Sequence, residues 1–568
     1  MGSYLLPDID VLFKQGFFSN LDYHFAKSMG GIFAGTDPVV LFSCALVSKH
    51  LSQGHICVDI SKIAGTAIQI SETGNLKLKY PEFDVWHAAL TRSDMVSDAA
   101  DTPLVMDADS RLFLAKYFDF KERLAKNIVQ RHTLAPVHMD SSFIDQQLEA
   151  VFDPADPRVL PQITCIKSAL NKHFTVISGG PGTGKTFVTG LIRQMFEFWS
   201  VFQKLGAPRV LCVAPTGKAA SKMDQGKTIH SVLKPRKNKT GFYHCAKRPL
   251  TADMVIIDEA SMIDIVLMTR LFEAIPMTAK IILLGDRHQL ASVQAGAVFS
   301  EICKTKALES DIHVLEYNFR SKSRSGIETL AKAINHMDAD HVEDILLSAS
   351  FPDIVFENLV EKSIFYESLN WHISEGFKAF CMAQSVESAL TGLDDFKILC
   401  AHNSGEFGTL QINHLCEKIL RSMTDSGIKK NIFKQMVMVT VNDYSKELFN
   451  GDTGILTRDE QGDIAWFLTR DGNRHFRRVD LPEHETAFAI TIHKSQGSEF
   501  DTVLIIIPDR LSQVLTQQLL YTGVTRTRSK VIIAGDINII KKAVGLCVEH
   551  SSGLSVTMEK FIHEIENK

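Results

Sequence analysis

Beyond residue 174 the chain repeats one pattern: a short aliphatic run, a polar or glycine-bearing loop, then apolar residues three and four positions apart. Such runs occupy 174–178, 210–214, 254–257 and 281–284, and a second series occupies 397–401, 503–507 and 531–535. Apolar runs of this length predict parallel strands buried on both faces, and the amphipathic stretches between them predict the covering helices. Two such series predict two tandem α/β lobes. Residues 435–482 break the pattern with short alternating runs and turns at Asn450-Gly451-Asp452 and Asp471-Gly472-Asn473, which predicts a small antiparallel β insertion. Before residue 150 the chain mixes helical patterns, over 11–25 and 39–50, with one short strand expected over 112–115. Pro154 and Pro157 break helix and strand alike and place a boundary there. The expected division is a mixed, mostly helical domain over 1–150, a first lobe over 151–325 and a second over 326–568.

Composition changes this picture little. At 568 residues the chain is too long for one core, and three to four domains are expected. Hydrophobic content of 45% and charged content of 22% are ordinary for a globular protein. No basic segment followed by an apolar stretch opens the chain, and Leu6 stands where a myristoylation signal wants Ser or Thr. No apolar run approaches bilayer length, so a cytoplasmic protein without membrane contact is expected. The 10 cysteines are scattered singly with no C-x-x-C pair, which supports reduced thiols rather than zinc or iron–sulfur ligation. A net charge of −5 gives no global attraction to nucleic acid, so any phosphate contacts must come from a local stripe.

The most specific chemistry lies just after the first aliphatic run. Gly179-Gly180-Pro181-Gly182-Thr183-Gly184-Lys185-Thr186 fits G-x-x-x-x-G-K-[ST] and follows an expected strand. Its glycines let backbone N–H groups wrap phosphates, and the helix expected from Lys185 points its positive end at them. Lys185 is a point charge for the β- and γ-phosphates of ATP, and the Thr186 hydroxyl is a ligand for Mg²⁺. Asp258-Glu259 ends another expected strand. Asp258 suits the Mg²⁺ shell and Glu259 suits the base for an attacking water, although an acidic pair at a strand end also caps helices. Gln289, in Gly285-Asp286-Arg287-His288-Gln289-Leu290, is placed to reach the γ-phosphate or the water, unless the segment is only a polar turn. In motors with two lobes ATP binds in the cleft between them, so Arg320 and Arg526 are candidate arginine fingers; the competing reading is a surface salt bridge.

Three stretches suit nucleic acid. Ala214-Pro215-Thr216-Gly217-Lys218, then Thr228-Ile229-His230, and Thr491-Ile492-His493-Lys494-Ser495 combine hydroxyls, Lys, His and backbone N–H groups. Pro215, Thr216, Thr228, His230, His493 and Ser495 are the candidate DNA contacts. Residues 234–248 interleave Lys234, Arg236, Lys237, Lys239, Lys247 and Arg248 with Phe242 and Tyr243, a pattern that either tracks a nucleic-acid backbone or forms a solvated loop.

In this order the segments resemble the motifs of superfamily 1 helicases: the phosphate loop, 214–220, 258–261, 285–290, Arg320 after Glu316-Tyr317-Asn318-Phe319, 491–497 and 521–528. Within that superfamily, 448–452, 481–486, 493–501 and 552–554 are similar to RecD-type subunits of bacterial exodeoxyribonuclease V. Gln162 stands where that family's adenine-reading glutamine lies. Phe187 and Ile229 depart from the family, which often has Thr and Leu there. The resemblance covers about 160 to 555 and reaches upstream through Leu21-Asp22, Phe25-Ala26 and 54–57. It implies RecA-like lobes, an SH3-like β-barrel over 435–482, and a hairpin over 231–253 at the strand-separating junction. It also implies 5′→3′ movement on DNA and action in double-strand break repair and homologous recombination. The implied partners are the beta and gamma subunits, one carrying the nuclease; no clustered carboxylates with a lysine suggest a nuclease in this chain. Two alternatives stand beside this reading. One is a stand-alone RecD-like helicase, whose helix-hairpin-helix elements are not found in 1–150, and the other is a scaffold subunit with little ATPase. Residues 1–150 are expected to dock a partner subunit, with some of Phe13, Phe17, Phe18, Phe25, Phe33 and Phe42 lining the partner surface; the competing reading is an ordinary small core.

Overall fold

The computed structural model describes residues 8–567 except 69–77, 138, 205, 237–240, 291–294, 320–324, 349, 360, 426–433, 460–461, 470–471 and 549. The first lobe is a six-stranded sheet in the order Ile312–Leu315, Phe174–Gly179, Lys280–Gly285, Met254–Ile257, Val210–Ala214, Lys227–Thr228, parallel throughout. Three of its four inner strands, Phe174–Gly179, Lys280–Gly285 and Met254–Ile257, are buried at every position, because helices cover both faces. This order sets the phosphate-loop strand beside the strand leading to Asp286, and that one beside the strand leading to Asp258. Three loops far apart in sequence therefore meet at the carboxyl ends of adjacent parallel strands, where α/β folds bind ligands.

The second lobe is a five-stranded parallel sheet in the order Ile354–Asn358, Thr527–Gly535, Phe500–Ile506, Phe396–Cys400, Ala489–Thr491. Its two outermost strands were not anticipated from the aliphatic runs. Between its strands lies an antiparallel sheet of Lys434–Val439, Thr453–Asp459, Gly462–Thr469, Gly472–Arg477 and His484–Thr486. It has its own small core around Val437, Leu456 and Phe467, and its last strand lies wholly beyond residue 482, where the insertion was expected to end. In the segment 231–253 two isolated bridges, Pro235 to Phe242 and Cys245 to Arg248, take the place of a strand ladder among the described residues.

The N-terminal body joins a four-stranded sheet to helices that include Asn20–Ile32, Pro38–Ser52 and Phe83–Thr91. Capping decides the first break there. Ser19 and Asp22 form a reciprocal capping box that starts a new helix, so 11–25 is two helices rather than one. Of the six phenylalanines expected to contribute to a docking surface, Phe18 and Phe42 are in the core, Phe17, Phe25 and Phe33 are half-buried against it, and half-buried Phe13 stacks on Tyr23 at 4.3 Å. The most exposed large apolar residues described in this body are instead Leu21, at 72%, and Ile32, at 71%.

Packing also moves the boundary expected near residue 150. Helix Ala115–His132 puts Phe120, Leu124 and Ile128 into the first lobe's core with Phe174 and Phe272. Its buried Arg131 donates to the carbonyls of Ile275 and Ala279, each at 2.9 Å. Helix Ser141–Glu149 adds Ile144 and Leu148 to the opposite side of that lobe. The chain's last helix, Leu554–Glu566, returns from the second lobe to pack on Ala115–His132. A chain starting at residue 150 would open this core, whereas one starting at Ala115 keeps all of its buried residues but Ile56, Cys57 and Phe113. The shorter chain is expected to lose cooperative thermal unfolding, monitored by circular dichroism, while the longer one keeps it. Equal melting of the two would contradict the reassignment.

Candidate nucleotide site and DNA-facing surface

Gly182 and Gly184 adopt φ of 82° and 87°, the left-handed backbone that lets the loop curl and then enter helix Lys185–Phe202. The Lys185 amine lies within the loop and donates to the carbonyls of Gly179 and Gly180, the latter at 3.0 Å. Thr183 Oγ1 closes the turn on Gly180 O at 2.9 Å. Thr186 is exposed on the first helical turn. Gln162 is buried beside the loop and donates Nε2 to Thr183 O at 3.1 Å. A Cβ on Gly184 would lie 2.5 Å from that nitrogen, so the glycine also makes room for Gln162. A cavity of about 550 Å³ extends from Gly179, Gly180 and Pro181 to Tyr521 and Thr525 of the second lobe.

Asp258 and Glu259 follow the neighbouring strand. Burial, and then the charge of Glu259, push the Asp258 carboxyl up, while Lys185 pulls it down. Glu259 has φ 51° and ψ 41°, a left-handed conformation that costs a non-glycine residue about 1 kcal/mol or more. Strain of this kind persists where the surroundings impose it, and here it turns the chain sharply after the strand. Gln289 Nε2 donates to Asp286 Oδ2 at 3.0 Å.

Lys185, Gln162, Asp258, Glu259 and Gln289 thus gather around one set of strand ends. Arg526 does not join them. It is buried in its own lobe, with Nε donating to Thr522 O and Nη1 to Ser498 O, both at 3.2 Å. Arg320 lies outside the described residues. Sequence reasoning passed over Tyr317 and Phe319, half-open aromatics beside the loop; the Phe319 N–H donates to Gly182 O at 3.0 Å. Their spacing, two aromatics just ahead of a candidate arginine, was the signal available.

The DNA candidates follow the strands on the far side of the Asp258 strand, Val210–Ala214 and Lys227–Thr228, and the second lobe's edge strand Ala489–Thr491. Several of their hydroxyls are committed to the backbone. Thr216 caps helix Gly217–Ser221 by accepting from the Ala219 N–H, and Thr228 caps Ile229–Leu233 through Ser231. Ser495 is fully buried and donates to Ile492 O at 2.7 Å, so in this conformation it presents no hydroxyl to a phosphate, contrary to expectation. Pro215 and His493 are half-buried, and burial lowers the His493 pKa. His230 meets the Phe242 ring edge-on at 5.7 Å. Exposed Tyr243 carries Arg248 over its ring at 5.2 Å, while Lys237 and Lys239 lie outside the described residues. The insertion reaches this face as well, since a Cβ on Gly217 would collide with Phe449 at 2.2 Å.

Residues 14–113 match the family described as RecBCD enzyme subunit RecD, N-terminal domain. Residues 162–295 match an AAA domain and 486–534 a UvrD-like helicase C-terminal domain. The RecBCD enzyme subunit RecD of Mycobacterium tuberculosis is 29% identical over 561 residues, 95% of this chain and 94% of that protein. That of Mycolicibacterium smegmatis is 28% identical over 557 residues, 94% of this chain and 96% of that protein. The chain belongs to the RecD family of superfamily 1 DNA helicases. As a RecD-family helicase it is an ATPase, which fits the cleft: a phosphate loop with two left-handed glycines, a lysine within it and an acidic pair on the neighbouring strand. The ATP-dependent RecD2 DNA helicase of Deinococcus radiodurans is 27% identical over 384 residues, 66% of this chain but 48% of that protein. The RecD-family helicase has no described helix long and apolar enough to cross a membrane.

Proposed function

We propose that this chain is the 5′→3′ motor subunit of a RecBCD-type complex, acting on DNA ends in double-strand break repair and homologous recombination. What carries the reading is the near end-to-end likeness to RecD subunits, including the N-terminal body as well as the motor. That likeness favours a subunit over a stand-alone helicase, and the intact Lys185, Glu259 and Gln289 disfavour a scaffold without ATPase. Its partners are then the beta and gamma subunits, in the cytoplasm.

Within the cleft, the N–H groups of 179–186 and the Lys185 amine hold the phosphates, and Gln162 sits toward the base. Thr186 and Asp258 supply the hard oxygen donors that suit Mg²⁺, and the bound ion would neutralise charge on the phosphate oxygens. Glu259 takes the proton of the attacking water and Gln289 orients it. Arg526 acts as a finger once its guanidinium leaves the carbonyls of Thr522 and Ser498, and Arg320 supplies a second positive charge. Pro215, Thr216, Thr228, His230 and His493 line the DNA track, with backbone N–H groups supplementing their side chains. The antiparallel insertion is assigned as the family's SH3-like barrel, and 231–253 as the hairpin at the strand junction. The N-terminal body, ending before Ala115, docks the partner subunits.

Partial duplexes with a single tail test the direction of movement. The chain is expected to unwind a 5′-tailed substrate with ATP and leave the 3′-tailed one paired; the reverse preference would overturn the polarity. In the same preparations the full chain should retain its partner subunits, and a chain starting at Ala115 should lose them.

A further inference from the structure

The turn 286–290 belongs to the first lobe, yet the second lobe holds it at three points. Tyr521 Oη donates to Asp286 Oδ2 at 2.9 Å. The Leu290 N–H donates to Thr522 Oγ1 at 3.1 Å, and Gln496 Nε2 donates to Leu290 O at 2.9 Å. Asp286 Oδ2 is also the acceptor for Gln289 Nε2, at 3.0 Å. Asp286, Tyr521 and Gln289 are only 3%, 5% and 8% exposed, so water competes little for these bonds. The Tyr521 hydroxyl borders the phosphate loop as well, since a Cβ on Gly180 would stand 3.2 Å from it. Burial, and then the charge of Asp286, hold the Tyr521 phenol well above its ordinary pKa, so it is a donor at neutral pH.

We propose that Tyr521 is a positioning residue for ATP hydrolysis: through Asp286 it fixes Gln289, so that the orientation of Gln289 depends on contact with the second lobe. The inference rests on the reading of Gln289 as the group that orients the attacking water. A carboxylate only accepts hydrogen bonds, so Gln289 can meet it only through its amide nitrogen, which fixes which end of the amide faces away. Tyr521 shares that carboxylate oxygen. Its hydroxyl is the second lobe's direct hold on the acceptor, and the bonds from Thr522 and Gln496 hold the following residue. Lobe movement that breaks the Tyr521 bond leaves Asp286 held through Oδ1 by the His288 N–H, at 3.0 Å, and loosens the Oδ2 that positions the Gln289 side chain.

The test is steady-state ATPase of the full chain with saturating single-stranded DNA. Tyr521→Phe removes only the hydroxyl and is expected to lower kcat about tenfold, the effect of one buried bond to a charged acceptor. The KM for ATP and the affinity for single-stranded DNA should stay within about twofold of wild type, which a general loss of lobe packing would not allow. In a Gln289→Ala background the same substitution should lower kcat by less than about twofold, because its route passes through Gln289. Asp286→Asn weakens the same bond from the other side and should repeat the kcat loss, so it decides the matter if Tyr521→Phe fails to fold. A Tyr521→Phe kcat within twofold of wild type, or a full tenfold loss persisting without Gln289, would overturn the proposal. Undiminished kcat in Gln289→Ala alone would instead sink the underlying reading of Gln289.

Discussion

Lys185→Gln is expected to reduce DNA-stimulated ATP hydrolysis by at least about 100-fold while leaving the folded state intact. The lysine heads helix Lys185–Phe202, and its amine meets only the carbonyls of Gly179 and Gly180 among the hydrogen bonds of the described residues. Its charge is thus held in the curl of the loop rather than spent on an ion pair with a carboxylate. Glutamine keeps much of the length and can still donate to those carbonyls, so the loop retains its shape. What it lacks is the positive charge that meets the β- and γ-phosphates as charge redistributes in the transition state. Thermal unfolding of the variant should match wild type, and unwinding should fail together with hydrolysis. Turnover close to wild type would remove the phosphate loop from the mechanism.

Glu259→Gln should separate binding from chemistry. The variant is expected to bind ATP within about threefold of wild type and to lower kcat by roughly 100-fold or more, the range general-base catalysis supplies. Glutamine reproduces the size of the side chain and can take the same left-handed backbone, at φ 51°, so the turn after strand Met254–Ile257 is undisturbed. It cannot accept a proton from water. Neighbouring Asp258 keeps its carboxylate, which accepts from the N–H of residue 259 at 2.8 Å, a bond the substitution does not touch. Measured nucleotide affinity and single-turnover hydrolysis on the same preparation distinguish the outcomes. If affinity falls as steeply as turnover, Glu259 shapes the site instead of acting on water.

The chain's own pattern determined the parallel strands and the phosphate loop, because both are local. An aliphatic run buried on two faces declares itself within five or six residues, and a loop that wraps phosphates needs its glycines, lysine and threonine side by side. The acidic pair and the Gly285–Leu290 turn were legible for the same reason, each sitting directly after such a run. Tertiary structure decided what depends on partners distant along the chain. Nothing in 115–132 or 554–566 marks these helices as first-lobe residues; they join that core because the fold brings Phe272, Met558 and Leu124 together. The hydroxyls of Thr228 and Ser495 look available in sequence, but a helix cap and a turn claim them. Arg526 reads as a finger, yet its guanidinium rests on carbonyls of its own lobe. Tyr521 opens the motif-like segment 521–528 but gave no sign of its partner, since its acceptor, Asp286, belongs to the other lobe and meets it only when two separate sheets face each other. Local chemistry is written in neighbouring residues, whereas the coupling between lobes exists only where strand order and lobe packing bring distant donors and acceptors within hydrogen-bond reach.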